Sequence, residues 1–123
     1  MLGEDNPMIA YTIKKLLEQS GYSVQIAKEG SELLRCLKTH SYSWVLLDIM
    51  LPELSGIEVT SLYRGWEQQH RSNRIPMFAI TGYSYQGLEE EAQQAGIDYL
   101  FKKPFTVREI KIIESFLKKN LLL

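Results

Sequence analysis

The chain has 123 residues, with 14 basic and 15 acidic side chains and one cysteine, Cys36. A chain of this length forms one hydrophobic core, and its balanced charge excludes the strongly basic surface that attracts nucleic acids or anionic membranes. One cysteine excludes an internal disulfide, and no apolar run approaches the length of a membrane span. We therefore expect one cytoplasmic domain that contacts neither nucleic acid nor membrane.

The first helix is predicted directly after an acidic pair, Glu4-Asp5. Asn6 is a favourable N-cap, and Pro7 is tolerated at the first helical position. The apolar residues that follow recur at helical spacing until Gly21, which ends the helix; they are Ile9, Ile13, Leu16 and Leu17. The acidic pair therefore lies where a strand turns into a helix, although two acids also suit a helix N-terminus on electrostatic grounds alone.

Asp48 follows the most apolar stretch of the chain. A strand from Tyr22 to Ala27 and a helix from Ser31 to about Thr39 are predicted before it. The run Trp44–Leu47 then leads directly into Asp48, and such a continuous run is typical of a parallel strand covered on both faces. Open α/β sheets build their sites at the carboxyl ends of strands. Taken alone, Asp48 is explained as well by the capping of a turn.

A fourth strand is predicted to end in Thr81. Before it, Ser55–Glu58 has the capping-box pattern of a helix start. We expect that helix to place Val59, Leu62, Tyr63 and Trp66 on one inward stripe. The next apolar run, Pro76–Thr81, is the strand. A hydroxyl at its end can donate a hydrogen bond to an anion, but threonine is common in strands, so Thr81 alone means little.

The last strand is predicted to lead into Lys103-Pro104. A shorter helix with Leu88 and Ala92 comes first, and the run Tyr99–Lys102 follows it. Side chains alternate along a strand, so one of Lys102 and Lys103 points into the site and the other away. Alone, two lysines before a helix are most simply solvated. Thr106–Glu109 is a second capping box, opening a helix with Ile110, Ile113 and Leu117 inward.

Together, the four strand ends predict a metal and phosphoryl site. Three carboxylates brought close together repel one another, and a hard divalent cation such as Mg²⁺ resolves that repulsion. A hydroxyl and an ammonium group from the other two strand ends supply donors for a phosphoryl group. The acids are Glu4, Asp5 and Asp48, and the donors are Thr81 and Lys103.

At this point the chain resembles the receiver domain of two-component response regulators, in its chemotaxis-regulator-like form. The match is carried by Glu4-Asp5, by Asp48 with Pro52 and Gly56 after it, by Thr81 and by Lys103-Pro104. Their order and separations fit the family across essentially the whole chain. The resemblance implies a single receiver domain over residues 1–123.

The resemblance also assigns roles to these residues. Asp48 would be the phosphoacceptor, and Asp5 would bind Mg²⁺ directly while Glu4 acts through water. The backbone carbonyl of Met50 would be a further metal ligand. Thr81 would bond the phosphoryl group, and Lys103 would pair with the acids and then with the phosphate. The family also makes the Lys103–Pro104 peptide bond cis, which proline permits at modest cost.

The alternation of strands and helices predicts an α/β fold with helices on both faces of a five-stranded parallel sheet. The flavodoxin-like, doubly wound strand order 2-1-3-4-5 would bring the ends of the first and third strands together at the switch point. Glu4, Asp5 and Asp48 would meet there. Fold and site are inferred from different residues, and the two inferences agree.

The function that follows is a phosphorylation-dependent switch rather than a metabolic enzyme. The family implies a phosphohistidine donor on a sensor histidine kinase or a histidine phosphotransfer domain. A metal-dependent phosphatase is disfavoured because Met50 stands where its second acid is usual. A phosphorylation-independent interaction module is the stronger alternative. The sequence leaves open whether the domain is free-standing or belongs to a larger hybrid kinase.

Three departures carry expectations of their own. Only Met1, Leu2 and Gly3 precede the acids, which predicts that the first strand is truncated at the N-terminus and that the native chain carries more apolar residues upstream. Adding such residues should raise the melting temperature. Leu100 occupies the place of the family's usual Tyr or Phe rotamer switch, so output should depend on backbone shifts near Thr81 and on the last strand and helix. Met50 and Tyr83 would flank the water that hydrolyses the phosphoryl group, which predicts slow self-dephosphorylation.

Overall fold

In the computed structural model, which describes residues 1–71 and 73–120, five strands alternate with five helices. The strands are β1 (Leu2–Gly3), β2 (Ile26–Ala27), β3 (Val45–Asp48), β4 (Met77–Thr81) and β5 (Tyr99–Lys102). The helices are α1 (Pro7–Gln19), α2 (Gly30–Thr39), α3 (Gly56–His70), α4 (Leu88–Ala95) and α5 (Val107–Asn120). Within the described part of the chain, no helix is both long and apolar enough to cross a membrane.

The sheet is parallel throughout, in the order β2-β1-β3-β4-β5, which confirms the predicted topology. Alternating residues of the central strands belong to two separate apolar clusters. Val45 and Leu47 belong to the cluster that includes residues of α2, α3 and α4, while Leu46 and Phe78 belong to the one with residues of α1 and α5. The helices therefore cover both faces of the sheet.

The short first strand has its backbone groups paired on both sides. The Leu2 amide donates to Gln25 O at 2.8 Å, and the Leu46 amide donates to Met1 O at 3.0 Å. Glu4 continues the pairing through a bond from its amide to Ala27 O at 3.0 Å. Two strand residues therefore suffice to join β2 to β3. The effect of added upstream residues on the melting temperature stays a prediction.

Two local predictions were wrong. The strand predicted over Tyr22–Ala27 is only Ile26–Ala27, because its partner β1 is itself two residues long. Leu62 is 52% exposed instead of lying on the inward stripe of α3. Successive helical residues are about 100° apart around the axis, so Leu62 cannot share the direction of its buried neighbour Tyr63. Glu67, a charged residue, is buried on that face instead.

Candidate functional site

The register of the sheet brings the acidic residues together. Gly3 of β1 is paired with Leu47 of β3, so the residues that follow them, Glu4 and Asp48, emerge side by side at the carboxyl edge. Asp5 comes next on the turn into α1. One carboxylate oxygen from each of the three acids lies within 4.8 Å of the others. The predicted acidic cluster is therefore formed by chain topology and strand pairing, without any contribution from α1 or α3 side chains.

The turn after β1 holds Glu4 in a buried position. The Asn6 side chain caps α1 by accepting from the amides of Met8 and Ile9, at 2.9 and 3.1 Å, which confirms the predicted helix start. The Asn6 amide in turn donates to Glu4 Oε2 at 3.2 Å. The other oxygen, Oε1, is buried and has no hydrogen-bond partner among the described residues.

The pKa of Glu4 reflects this environment. Burial raises the pKa of the carboxyl group to about 7, and the neighbouring charge of Asp48 adds to the effect. The hydrogen bond from the Asn6 amide and the positive charge of Lys103 act in the opposite direction but do not offset it. A buried carboxylate with a raised pKa and an unbonded oxygen is short of positive charge.

Lys103 supplies part of that charge. It follows β5, and its peptide bond to Pro104 is cis, as the resemblance implies. Its Nζ lies 2.5 Å from Asp48 Oδ2 and 3.5 Å from Glu4 Oε1. Partial burial disfavours the ammonium ion, but the hydrogen bond and charge of Asp48, with the charge of Glu4, prevail and raise the pKa of Lys103. Lys102 is exposed, which confirms that only one of the two lysines points inward.

Asp48 has a partner for each of its carboxylate oxygens. Oδ2 accepts from Lys103, and Oδ1 accepts from the backbone amide of Met50 at 2.8 Å. The residue is 3% exposed. The loop that carries Met50 is held against the end of β3 because the Gly56 amide donates to Ile49 O at 2.8 Å. Asp48 is therefore oriented by the loop on one side and by the lysine on the other.

The Thr81 hydroxyl lies at the end of β4 but is bonded within its own turn. It donates to Tyr83 O at 2.5 Å and accepts from the Tyr83 amide at 3.1 Å. Among the described residues, the hydroxyl has no hydrogen bond to Asp48 or Lys103. Thr81 thus sits on the strand next to Asp48, while its oxygen is committed to the loop that leads to α4.

The donor set fits a hard divalent cation. Three carboxylates with one ammonium group leave an excess of negative charge at the edge of the sheet, and Glu4 Oε1 is a buried oxygen that accepts no hydrogen bond from the described residues. Carboxylate and carbonyl oxygens are the ligands that Mg²⁺ prefers. The structure brings together Glu4, Asp5, Asp48 and Lys103. Sequence reasoning did not find the Met50 amide, because a backbone donor leaves no signal in the residue types.

The comparison with known proteins agrees with this arrangement. Residues 1–113 match the family model described as the response regulator receiver domain. The chain belongs to this family. The expected family, the fold and the role in two-component signalling are thereby confirmed.

Two curated proteins and one solved structure illustrate the likeness. The polar-differentiation response regulator DivK of Brucella ovis is 36% identical over 118 residues, covering 95% of this chain and 94% of that protein. The peroxide stress-activated histidine kinase mak3 of Schizosaccharomyces pombe is 34% identical over 108 residues, which are 85% of this chain but only 5% of mak3. A sensor histidine kinase receiver domain from Pseudomonas aeruginosa is 31% identical, with a TM-score of 0.79 and coverage of 96% and 92%.

These relatives indicate the general role of the domain. Receiver domains interact with histidine kinases or phosphotransfer proteins, and this chain is homologous both to DivK and to receivers found in sensor kinases. The Pseudomonas structure holds a magnesium ion in its active-site cleft. The family is consistent with a phosphorylation-dependent switch.

Proposed function

We propose that Asp48 accepts a phosphoryl group from a phosphohistidine, in the presence of Mg²⁺, and that the resulting acyl phosphate changes the surface presented to a partner. The observation that carries this proposal is the contact of 2.5 Å between Lys103 Nζ and Asp48 Oδ2 inside a cluster of three acids. A buried carboxylate beside one lysine, with an excess of negative charge around it, is the arrangement that phosphoryl transfer to an aspartate requires.

Mg²⁺ would be held by the carboxylates of Asp5 and Asp48 and the backbone carbonyl of Met50, with Glu4 acting through water. When bound, the ion neutralises charge on the transferred oxygens and allows two anions to approach each other. The fit of this chain to the ion is supported by the unbonded Glu4 Oε1.

The transfer itself is carried out by Asp48. Its carboxylate attacks the phosphorus, an O–P bond forms, the N–P bond of the donor breaks, and the electron pair returns to the imidazole nitrogen. Lys103 stabilises the charge on the equatorial oxygens of the phosphoryl group. The amide of Met50 holds the other carboxylate oxygen, so Asp48 is oriented before the donor arrives. The domain catalyses only its own phosphorylation and slow hydrolysis, and is in that sense a switch rather than an enzyme.

The switch would begin at Thr81. Its hydroxyl donates to Tyr83 O before phosphorylation, and donation to a phosphoryl oxygen requires that this bond break. The loop from Gly82 to Gly87 would then move with the start of α4. The phosphoryl group thereby favours one of two loop arrangements through bonds that only that arrangement allows.

The partner that supplies the phosphoryl group would dock beside the site. A groove of about 450 Å³ runs along α1 to the end of β5. It is lined by Met8, Ile9, Thr12, Ile13, Lys103, Pro104 and Phe105. Met8 is 80% exposed at its rim. An apolar groove next to the phosphoacceptor suits a helix of a histidine kinase or a histidine phosphotransfer domain. We propose that this phosphoryl transfer takes place in the cytoplasm.

The test is labelling with acetyl phosphate, with and without Mg²⁺, followed by separation of the phosphorylated form. We expect Mg²⁺-dependent labelling of the wild type, none in Asp48→Asn, and strong loss in Asp5→Asn. Glu18→Gln, which alters an exposed acid on α1, is the matched control and should label normally. Failure of the wild type to label from acetyl phosphate or a phosphorylated histidine domain would favour a phosphorylation-independent interaction module.

A further inference from the structure

Gly30 makes a contact between α2 and the loop that follows Asp48. It is the first residue of α2 and is buried. Its amide donates to Pro52 O at 2.9 Å, so this hydrogen bond joins α2 to the loop between β3 and α3. This bond satisfies one of the free amides at the helix N-terminus, which has no side-chain cap from Glu29.

There is no room at this contact for any side chain. An ideal Cβ at position 30 would lie 2.0 Å from Leu54 O and 2.7 Å from Leu54 C. Both are backbone atoms, so rotation of a side chain cannot relieve the overlap. The φ angle of Gly30 lies outside the left-handed region, and the close approach alone therefore excludes a larger residue.

The loop that Gly30 contacts includes Met50, whose backbone belongs to the proposed site. The Met50 amide orients Asp48, and the loop is closed at its far end by the bond from the Gly56 amide to Ile49 O. The contact with Gly30 is made from a helix outside the segment, between these two attachment points. Pro52 and Leu54 follow Met50 closely in the chain, so a displaced Leu54 carbonyl would have to be accommodated by the few residues that lead back to Met50.

We propose that Gly30 is a positioning residue for the phosphorylation site, an inference that rests on the function proposed above. A methyl group at position 30 must push Leu54 O from 2.0 Å to at least 3.0 Å, a displacement of about 1 Å. A misplacement of about 1 Å costs on the order of 100-fold in rate when reacting groups depend on orientation. We expect Gly30→Ala to lower Mg²⁺ affinity and the rate of Asp48 phosphorylation about 10- to 100-fold.

The experiment compares Gly30→Ala with two controls, measuring Mg²⁺ binding by calorimetry and phosphorylation by acetyl phosphate at a temperature where each protein is folded. Gly65→Ala is the matched glycine control, because a Cβ at that helical position meets nothing within 4 Å. Leu37→Ala removes a buried side chain from the same helix and controls for lost stability. Both controls should keep wild-type Mg²⁺ affinity and labelling rate.

Three results overturn the proposal. The first is a Gly30→Ala protein that keeps wild-type Mg²⁺ affinity and labelling rate although its melting temperature is lower. The second is an equal loss of Mg²⁺ affinity and labelling rate in Leu37→Ala. The third is an equal loss of both in Gly65→Ala. If the wild type itself neither binds Mg²⁺ nor labels, the proposed function has failed instead, so the two failures are distinct.

A second measurement uses the unaltered protein and applies even if Gly30→Ala does not fold. Coupling between two sites is reciprocal, so Mg²⁺ binding should strengthen the contact that supports the metal site. Hydrogen exchange of the Gly30 amide should slow about 10-fold on saturation with Mg²⁺, while that of the Gly65 amide stays constant. Unchanged exchange at Gly30 would show that the contact and the site are independent.

Discussion

The two ends of the sheet differ in the balance between their positive and negative groups. At the amino end, Arg64 and Arg74 are paired with Glu67 and Asp98 in a network with equal numbers of positive and negative groups. At the carboxyl end, three acids lie together beside one lysine, which pairs with Glu4 and Asp48, and a buried oxygen of Glu4 has no hydrogen bond from any described residue.

The amino-end network is complete as well as neutral. Glu67 accepts from Arg64 at 2.9 Å and from the Ile75 amide at 2.8 Å. Asp98 accepts from both arginines and from the Met77 amide, and Gly96 O accepts from the same two guanidinium groups. The network fixes the end of α4 and the start of β4. The balanced charges of this network help to hold the fold, whereas the excess of negative charge at the other end is available for binding.

Breaking the network should give the largest loss of stability. Glu67→Ala leaves Nη1 of the Arg64 guanidinium and the buried Ile75 amide without their acceptor, and we expect a loss of about 3–5 kcal/mol. Urea unfolding measures it, with Gln68→Ala, an exposed neighbour on α3, as a control within about 0.5 kcal/mol of wild type. Asp48 labelling in the cold should be normal. A loss below about 1 kcal/mol would show that the network is not structural.

At the carboxyl end of the sheet, removing a charge should raise the stability of the protein instead of lowering it. The folded pKa of Glu4 is about 7, above its ordinary 4.5, so the native state holds a proton that the unfolded chain has already released. Stability from this group is greatest below about pH 4.5 and falls as the pH rises to about 7. Glu4→Gln should therefore stabilise the Mg²⁺-free protein at pH 8, by on the order of 1–3 kcal/mol.

Thermal unfolding across pH 4.5–8 measures this effect of Glu4. The variant should be less sensitive to pH than the wild type and should gain less stability from added Mg²⁺. Glu18→Gln, an exposed acid on α1, should follow the wild-type curve. A Glu4→Gln protein that is less stable than wild type at pH 8 without Mg²⁺ would mean that the site is not strained by excess charge.

The sequence predicted the carboxyl end far better than the amino end. Acids, Thr81 and Lys103 at strand ends can be recognised because apolar runs define where strands stop, and parallel strands all end at one edge. The Glu67 network was not predicted, since a charged residue in a helix is normally exposed and the network also joins Arg64 to Asp98, which lies 34 residues away in sequence. Pairing of that kind is decided by packing and not by local pattern.

The wrong length of β2 and the orientation of the Thr81 hydroxyl both have local causes. The length of β2 depends on β1, which is its partner, and strand pattern alone does not contain that limit. The Thr81 hydroxyl turns to Tyr83 O because a short turn offers it an acceptor two residues away. The residue type predicts a donor at the site, whereas in the switch proposed above the orientation of the hydroxyl changes when a phosphoryl group is present.

The lifetime of the phosphoryl group tests the carboxyl end further. Met50 and Tyr83, which are 67% and 68% exposed, follow β3 and β4 at the rim of the site. Met50 cannot orient a water molecule, and we expect Met50→Asn to hydrolyse phospho-Asp48 about 10–100-fold faster, or roughly 1.4–2.7 kcal/mol of barrier. Tyr83→Ala should open the approach and act in the same direction. Decay after removal of excess acetyl phosphate measures both, and equal decay in all three proteins would show that neither side chain governs access.

The smallest effect is expected at Leu100, which lies on the strand that joins the two ends. β5 follows Asp98 of the amino-end network and precedes Lys103 of the site, and Leu100 is partly buried against the cluster on the α2, α3 and α4 face. A leucine has no hydroxyl or ring to exchange between inward and exposed positions. Leu100→Ala should therefore change Asp48 labelling and affinity for a phosphotransfer partner less than about 2-fold, or roughly 0.4 kcal/mol. Thr81→Ala, assayed in parallel, should lower the phosphorylation-dependent change in that affinity much more. If Leu100→Ala has the larger effect of the two, the ends of the sheet communicate through this side chain, and the switch does not begin at the Thr81 turn.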